Sequence, residues 1–190
     1  MTNSFNMFKP HLSAAHTFWK SLLEETDHAL DATCGNGHDT LFLAKLLPKG
    51  KLYALDIQQK AIDNTSSLLE KELGPNHQVQ LLQGCHSCFP PEIKKLKLIV
   101  YNLGYLPGSD KQVKTRVKTT LKSVFKGLIL LLEGGALSIT CYPGHTEGTE
   151  EEMALLNYCQ TLPQTYSFSH SRWEKRATAP SFLTIVKQPK

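Results

Sequence analysis

The residues best able to do chemistry gather in one decapeptide, Asp31-Ala32-Thr33-Cys34-Gly35-Asn36-Gly37-His38-Asp39-Thr40. Glycine lets a backbone turn sharply and come close to a ligand, and a helix starting directly after the turn offers unpaired N–H groups. A dinucleotide fingerprint would need a third glycine where this chain has Thr40. A phosphate-cradling loop would need Gly-Lys-Ser/Thr, which is absent. Asp31 and Asp39 flank the turn and would repel a pyrophosphate; they suit a ligand carrying an ammonium group. A second group is Asn102-Leu103-Gly104-Tyr105-Leu106-Pro107-Gly108. Its Asn carbonyl can accept N–H bonds from an amine, and its Tyr ring can stack on a planar base or sit against a cation.

Other polar residues carry weaker signals. Cys85-His86-Ser87-Cys88 has the spacing of a metal or redox pair, but no second such pair follows, so no metal is expected. His145 and Glu150 lie just past a predicted strand. His145 is a candidate base, whereas Glu150 reads as a carboxylate in the first turn of a helix. His16 stands where an N-terminal helix could cover the site. Lys111, Lys114, Arg116, Lys118, Lys122 and Lys126, with Arg172, Lys175 and Arg176, offer contacts to phosphates, or a solvated helix face.

These residues must be positioned by alternating strands and helices. Helices are predicted from Leu12 to Leu23, Asp39 to Leu47, Lys60 to Leu73 and Thr149 to Thr161, the last opened by a Thr149–Glu152 capping box. Val113, Val117, Leu121, Val124, Leu128 and Leu131 repeat at helical spacing, and Gly134-Gly135 is expected to end that helix. Strands are predicted at His28–Cys34, Lys51–Ile57, Val79–Gln83, Leu96–Tyr101, Ala136–Tyr142, Tyr166–His170 and Phe182–Lys187. The pattern implies an α/β fold with a mostly parallel sheet, helices on both faces and an antiparallel edge. At 190 residues, 41% hydrophobic and 20% charged, a single domain over 1–190 is expected, and disordered and fibrous classes are excluded. No apolar run is long enough to span a membrane. Five cysteines in apolar or glycine-rich surroundings, with no signal peptide, point to a reducing cytoplasm. The net charge of +4 allows a nucleic-acid partner without requiring one.

Asp-x-x-x-Gly-x-Gly over Asp31–Gly37 resembles the first motif of class I S-adenosylmethionine (SAM)-dependent methyltransferases. That resemblance implies a Rossmann-like, seven-stranded sheet with only the last strand antiparallel. It implies that Asp31 serves the cofactor's amino group. Asp56, 19 residues after Gly37 and closing the second predicted strand, fits the carboxylate that takes the ribose hydroxyls. Gly35, Asn36, Gly37, Asp39, Thr40, Ile57 and Asn102 are expected to complete the cofactor site, with His86 as a wall beside the adenine. Asn-x-x-Tyr at Asn102–Tyr105 resembles the Asn/Asp-Pro-Pro-Tyr motif of amino-group methyltransferases, with Leu103-Gly104 in place of Pro-Pro. With Tyr142-Pro143-Gly144-His145 and Pro180-Ser181-Phe182-Leu183, the chain resembles the YtqB/MnmM-type family, which carries the label of rRNA methylase. The resemblance implies an N-methyltransferase using Asn102, Tyr105 and His145. Its expected substrate is the aminomethyl group of 5-aminomethyl-2-thiouridine at the tRNA wobble position, met through the anticodon stem-loop. The alternatives are rRNA or a small-molecule amine, or a nucleotide-binding domain without activity. Homodimerisation stays open.

Overall fold

The computed structural model describes residues 10–104 and 115–189. Twelve elements follow one another along them: α1 (Pro10–Leu22), β1 (His28–Asp31), α2 (His38–Leu46), β2 (Lys51–Asp56), α3 (Gln59–Leu73), β3 (Val79–Gln83), β4 (Leu96–Asn102), α4 (Val117–Leu130), β5 (Leu131–Cys141), α5 (Thr146–Gln160), β6 (Tyr166–Arg172) and β7 (Ser181–Lys187). The strands form one sheet in the order β3-β2-β1-β4-β5-β7-β6. β1 to β5 run parallel, and β7 alone is antiparallel, pairing with β5 and β6. The order reverses at β1 and β4. Crevices form there, because the loops leaving the two strands turn to opposite sides.

Alternation along the strands builds two cores, one on each face. Leu52, Ala54, Leu98 and Val100 pack with Ala15 and Trp19 of α1, Leu43 and Ala44 of α2 and Leu69 of α3. Their neighbours Tyr53, Leu55, Ile99 and Tyr101 pack with Val124 and Leu128 of α4 and Leu155 and Cys159 of α5. Trp19 Nε1–H donates to Ser138 Oγ at 2.7 Å, which fixes α1 against β5. Among the described residues no helix is long and apolar enough to cross a membrane.

Most boundaries fall within two residues of the sequence expectation, and the larger differences lie at three places. The helix over the Val/Leu repeat is α4, Val117–Leu130; Leu131 already belongs to β5, and Val113 lies outside the described residues. Gly134-Gly135 therefore does not end a helix. It sits in a bulge, because Leu96 pairs with Leu131 whereas Leu98 pairs with Ala136. Gly134 has φ +67°, and a Cβ on Gly135 would lie 2.9 Å from the Leu132 carbonyl oxygen, so the bulge needs both glycines. The final helix begins at Thr146 rather than Thr149. His145 is its N-cap, and its Nδ1 accepts the Gly148 N–H at 3.1 Å, leaving the Thr149 box inside the first turns. β1 ends at Asp31 rather than Cys34, since the chain turns there toward the glycines.

Candidate functional site

The loop after β1 is held by the sheet itself. Ala32 N–H donates to the Val100 carbonyl at 2.9 Å and Cys34 N–H to the Leu55 carbonyl at 3.0 Å. Gly35 and Gly37 adopt φ +54° and +81°. A Cβ on Gly37 would stand 2.9 Å from Thr65 Cα, so glycine is what lets α3 pack against the loop. The Gly35 N–H donates to Asp56 Oδ2 at 3.1 Å, tying the loop to the end of β2. Asp56 Oδ1 accepts the Gln58 N–H at 2.9 Å. Each oxygen of Asp56 thus accepts a backbone N–H, and the Ile57 N–H also favours the carboxylate. Burial raises the Asp56 pKa above the ordinary carboxylate value, against the pull of those backbone N–H groups.

A cavity of about 940 Å³ opens at the carboxyl ends of the parallel strands. Gly35, Asn36 and Asp39 from the first loop and helix line it, together with Asp56 at the end of β2 and Ile57 after it, His86 after β3, Asn102 at the end of β4, and Tyr142 and His145 after β5. Ile57 is an exposed large apolar side chain at its edge. Most residues singled out by sequence are therefore brought together here. Asp31, Gly37 and Thr40 are not on the wall. Asp31 is buried behind the loop, where Thr40 Oγ1–H donates to Oδ2 at 2.7 Å and the Thr33 N–H to Oδ1 at 3.2 Å. Burial, and then the charge of Asp39, push its pKa up to about 7. The carboxylate that reaches the cavity from this loop is Asp39. Tyr105, Lys111 and Lys114 lie outside the described residues.

The two sides of the cavity differ in polarity. On the β3 side, burial lowers the His86 pKa to about 4, which makes the imidazole neutral. Its Nε2 is buried without a hydrogen-bond partner among the described residues. On the β4 side, Asn102 is fixed at both ends: its N–H donates to Thr33 Oγ1 at 2.7 Å, and its Nδ2 to Asp39 Oδ2 at 3.2 Å. The hydroxyl of Tyr142, its pKa raised to about 12 by burial, also bonds the Asn102 side chain. His145 lines the cavity, and its Nδ1 accepts the Gly148 N–H as the helix cap, with Glu147 Oε2 3.4 Å away.

Several contributors escaped the sequence reading. Thr115 Oγ1 accepts the Gly104 N–H at 2.9 Å and donates to Glu151 at 2.7 Å, while the Thr115 N–H donates to the Gly104 carbonyl at 2.8 Å. This clasp ties Gly104 to Thr115, and nothing in residue spacing announces it. Tyr142 was visible only as part of a motif. Glu150 does not line the main cavity. Cys85 and Cys88 both contact Ser87 Oγ, and among the described residues no group of three or more His, Cys, Asp or Glu could hold a metal. Of the basic residues, Arg116 lines the cavity and Lys118 and Lys122 are exposed on α4. Lys126 donates to the Ser87 carbonyl, Arg172 pairs with Glu152 and Arg176 pairs with Glu174.

Residues 52–187 match the model of the family described as "Putative rRNA methylase". A curated relative, the chloroplastic tRNA (mnm(5)s(2)U34)-methyltransferase of Arabidopsis thaliana, is 38% identical over 166 residues, covering 82% of this chain. The chain spans 61% of that protein's length. A crystal structure of a Clostridium thermocellum protein described in the family's own terms superposes with a TM-score of 0.89 at 34% identity, over 95% of this chain and 98% of that one. A Streptococcus mutans protein described as a methyltransferase, crystallised with S-adenosylhomocysteine (SAH), superposes with a TM-score of 0.83 at 33% identity, over 94% and 98% of the two chains.

Proposed function

The chain belongs to the family described as "Putative rRNA methylase", and from that membership we propose that it is a SAM-dependent N-methyltransferase. Its proposed substrate is the aminomethyl group of 5-aminomethyl-2-thiouridine at the tRNA wobble position. The observation that carries this reading is the shared cavity, which Asp56 at the end of β2 and Asn102 at the end of β4 both line. The Arabidopsis thaliana relative is named for mnm(5)s(2)U34, the nucleoside that methylation of this aminomethyl group would give, and it supports the choice of substrate. The family description favours rRNA as the second reading, which would use the same site.

The residues fit the cofactor. Asp56 stands on the cavity wall as an acceptor for ribose hydroxyls. The unpartnered Nε2 of neutral His86 suits the edge of an adenine, and Ile57 can lie on the ring's face. Asp39 is the wall carboxylate for an ammonium group, with Asp31 supporting the loop from behind. When bound, SAM supplies a methyl group activated by the adjacent sulfonium charge.

The protein's part is alignment. Asn102 Oδ1 accepts an N–H of the substrate amine and turns its lone pair toward the cofactor side of the cavity. Holding two reactants in a near-attack geometry can supply roughly 7–11 kcal/mol of a barrier. Tyr105 is assigned the face of the base, by stacking or cation–π contact. The amine must be neutral to attack, so it must lose a proton. His145 can take it only by releasing the Gly148 N–H, and we assign the proton to water in the cavity mouth. Asn102→Ala tests the reading: SAH affinity should hold within about twofold while methyl transfer is lost, as for an interaction made in the chemical step. Near-normal turnover would make the β4 loop structural and remove the main support.

A further inference from the structure

A hydrogen-bonded chain leads from the N-terminal helix to the cavity wall. His16 Nε2 lies 2.8 Å from Asp39 Oδ1, and Asp39 Oδ2 accepts from Asn102 Nδ2 at 3.2 Å. The imidazole is itself held. It stacks on Phe42 with ring centroids 3.9 Å apart and planes 15° from parallel, and it leans on Trp19 at 5.0 Å. Trp19 is anchored in turn by its bond to Ser138.

An asparagine amide can sit in two orientations a half-turn apart, one presenting its oxygen and the other its NH₂ group. The two have nearly the same shape, so packing does not choose between them. The Tyr142 hydroxyl, which also bonds the Asn102 side chain, both donates and accepts and does not choose either. Asp39 does. An ionised carboxylate only accepts, so it holds the NH₂ end of Asn102 and leaves Oδ1 as the end available to a ligand. Asp39 can impose that choice only if its own rotamer is fixed, and His16 is the group that fixes its other oxygen.

We propose that His16 is a positioning residue, acting through Asp39 to hold the Asn102 amide with its acceptor toward the substrate amine. The catalytic consequence rests on the amine-methylation reading; the geometric claim stands apart from it. His16 touches no reacting atom. It works as the far end of a donor–acceptor–donor series whose polarity ends in the one group an amine needs.

The test compares His16→Phe, which keeps the ring stack on Phe42 and removes the N–H, with His16→Gln, which keeps an N–H donor of similar reach. The first readout is the side-chain amide signal of Asn102 in ¹⁵N-labelled protein, identified by its loss in Asn102→Ala. His16→Phe should shift that signal and speed its exchange with solvent, and His16→Gln should return it toward the wild-type position. The second readout is turnover with saturating SAM. His16→Phe should lower kcat roughly 10- to 100-fold, the scale expected when a reacting group is misplaced by about an ångström. Because Asp39 is also the wall carboxylate for the cofactor's ammonium group, the Kd for SAH is measured alongside, and His16→Gln should restore most of the loss in kcat. An Asn102 signal unchanged in His16→Phe, or His16→Gln behaving like His16→Phe, overturns the proposal. A wild-type protein that methylates no amine overturns the functional reading instead, while the amide signal still decides the role of His16.

Discussion

Replacing Asp56 by alanine removes the acceptor that joins the glycine loop to the end of β2. Its two oxygens hold the Gly35 and Gln58 N–H groups at 3.1 and 2.9 Å, and the carboxylate faces the cavity. A ribose diol would donate O–H···O⁻ bonds to the acceptor sites that remain. Hydrogen bonds to charged groups contribute about 1.5–3 kcal/mol each, and two on one carboxylate add less than their sum. We expect Asp56→Ala to weaken SAH binding by about 2–4 kcal/mol, or roughly 30- to 700-fold at 1.4 kcal/mol per tenfold. Calorimetric titration of purified protein with SAH reads this directly. Asp56→Asn separates charge from shape, since the amide keeps one acceptor and loses the ionic character; its affinity should fall between wild type and alanine. The alanine variant also strands the Gly35 N–H, so thermal unfolding must show that it remains folded. A folded Asp56→Ala protein that binds SAH within threefold of wild type would remove Asp56 from the cofactor site.

Gly37→Ala should destabilise the fold by roughly 1–2 kcal/mol from its left-handed backbone alone, and by more because the new Cβ meets Thr65 Cα at 2.9 Å; urea unfolding within 0.5 kcal/mol of wild type would contradict this. Asp31, with its pKa raised to about 7 by burial and then by Asp39, binds a proton in the folded state that the unfolded chain releases at lower pH. Its contribution to stability is therefore complete below about pH 4 and is lost as pH rises through about 7. Thermal unfolding of the wild type should accordingly decline between pH 5 and 8 more steeply than that of Asp31→Asn, and equal slopes would show that Asp31 is already ionised in the folded protein.

The strand–helix alternation was legible because each strand carries its own apolar pattern and each helix its own stripe, and the sheet order followed from the methyltransferase resemblance. The α4–β5 boundary was not. Leu128 and Leu131 continue the helical spacing, and only the pairing of Leu131 with Leu96 assigns the latter to the sheet. Thr149–Glu152 has the residues of a capping box, yet His145 caps α5, because imidazole as an acceptor leaves little trace in sequence. Spacing placed Asp56 and Asn102 on the cavity, since each closes a strand. It could not separate Asp31 from Asp39, two acids flanking the same glycines; Thr40 binds the first from behind, and the turn of α2 carries the second to the wall. The approach of His16 to Asp39 joins α1 to α2 across 23 residues and exists only in the packed molecule.

The most direct measurement supplies purified protein and SAM to tRNA isolated from cells lacking this activity, then digests the tRNA and identifies its nucleosides by mass spectrometry. We expect 5-aminomethyl-2-thiouridine to be consumed and a nucleoside one methyl group heavier to appear at the wobble position, at a rate that collapses in Asn102→Ala. Unchanged tRNA nucleosides, with methyl transfer to rRNA or to a free amine under the same conditions, would contradict this.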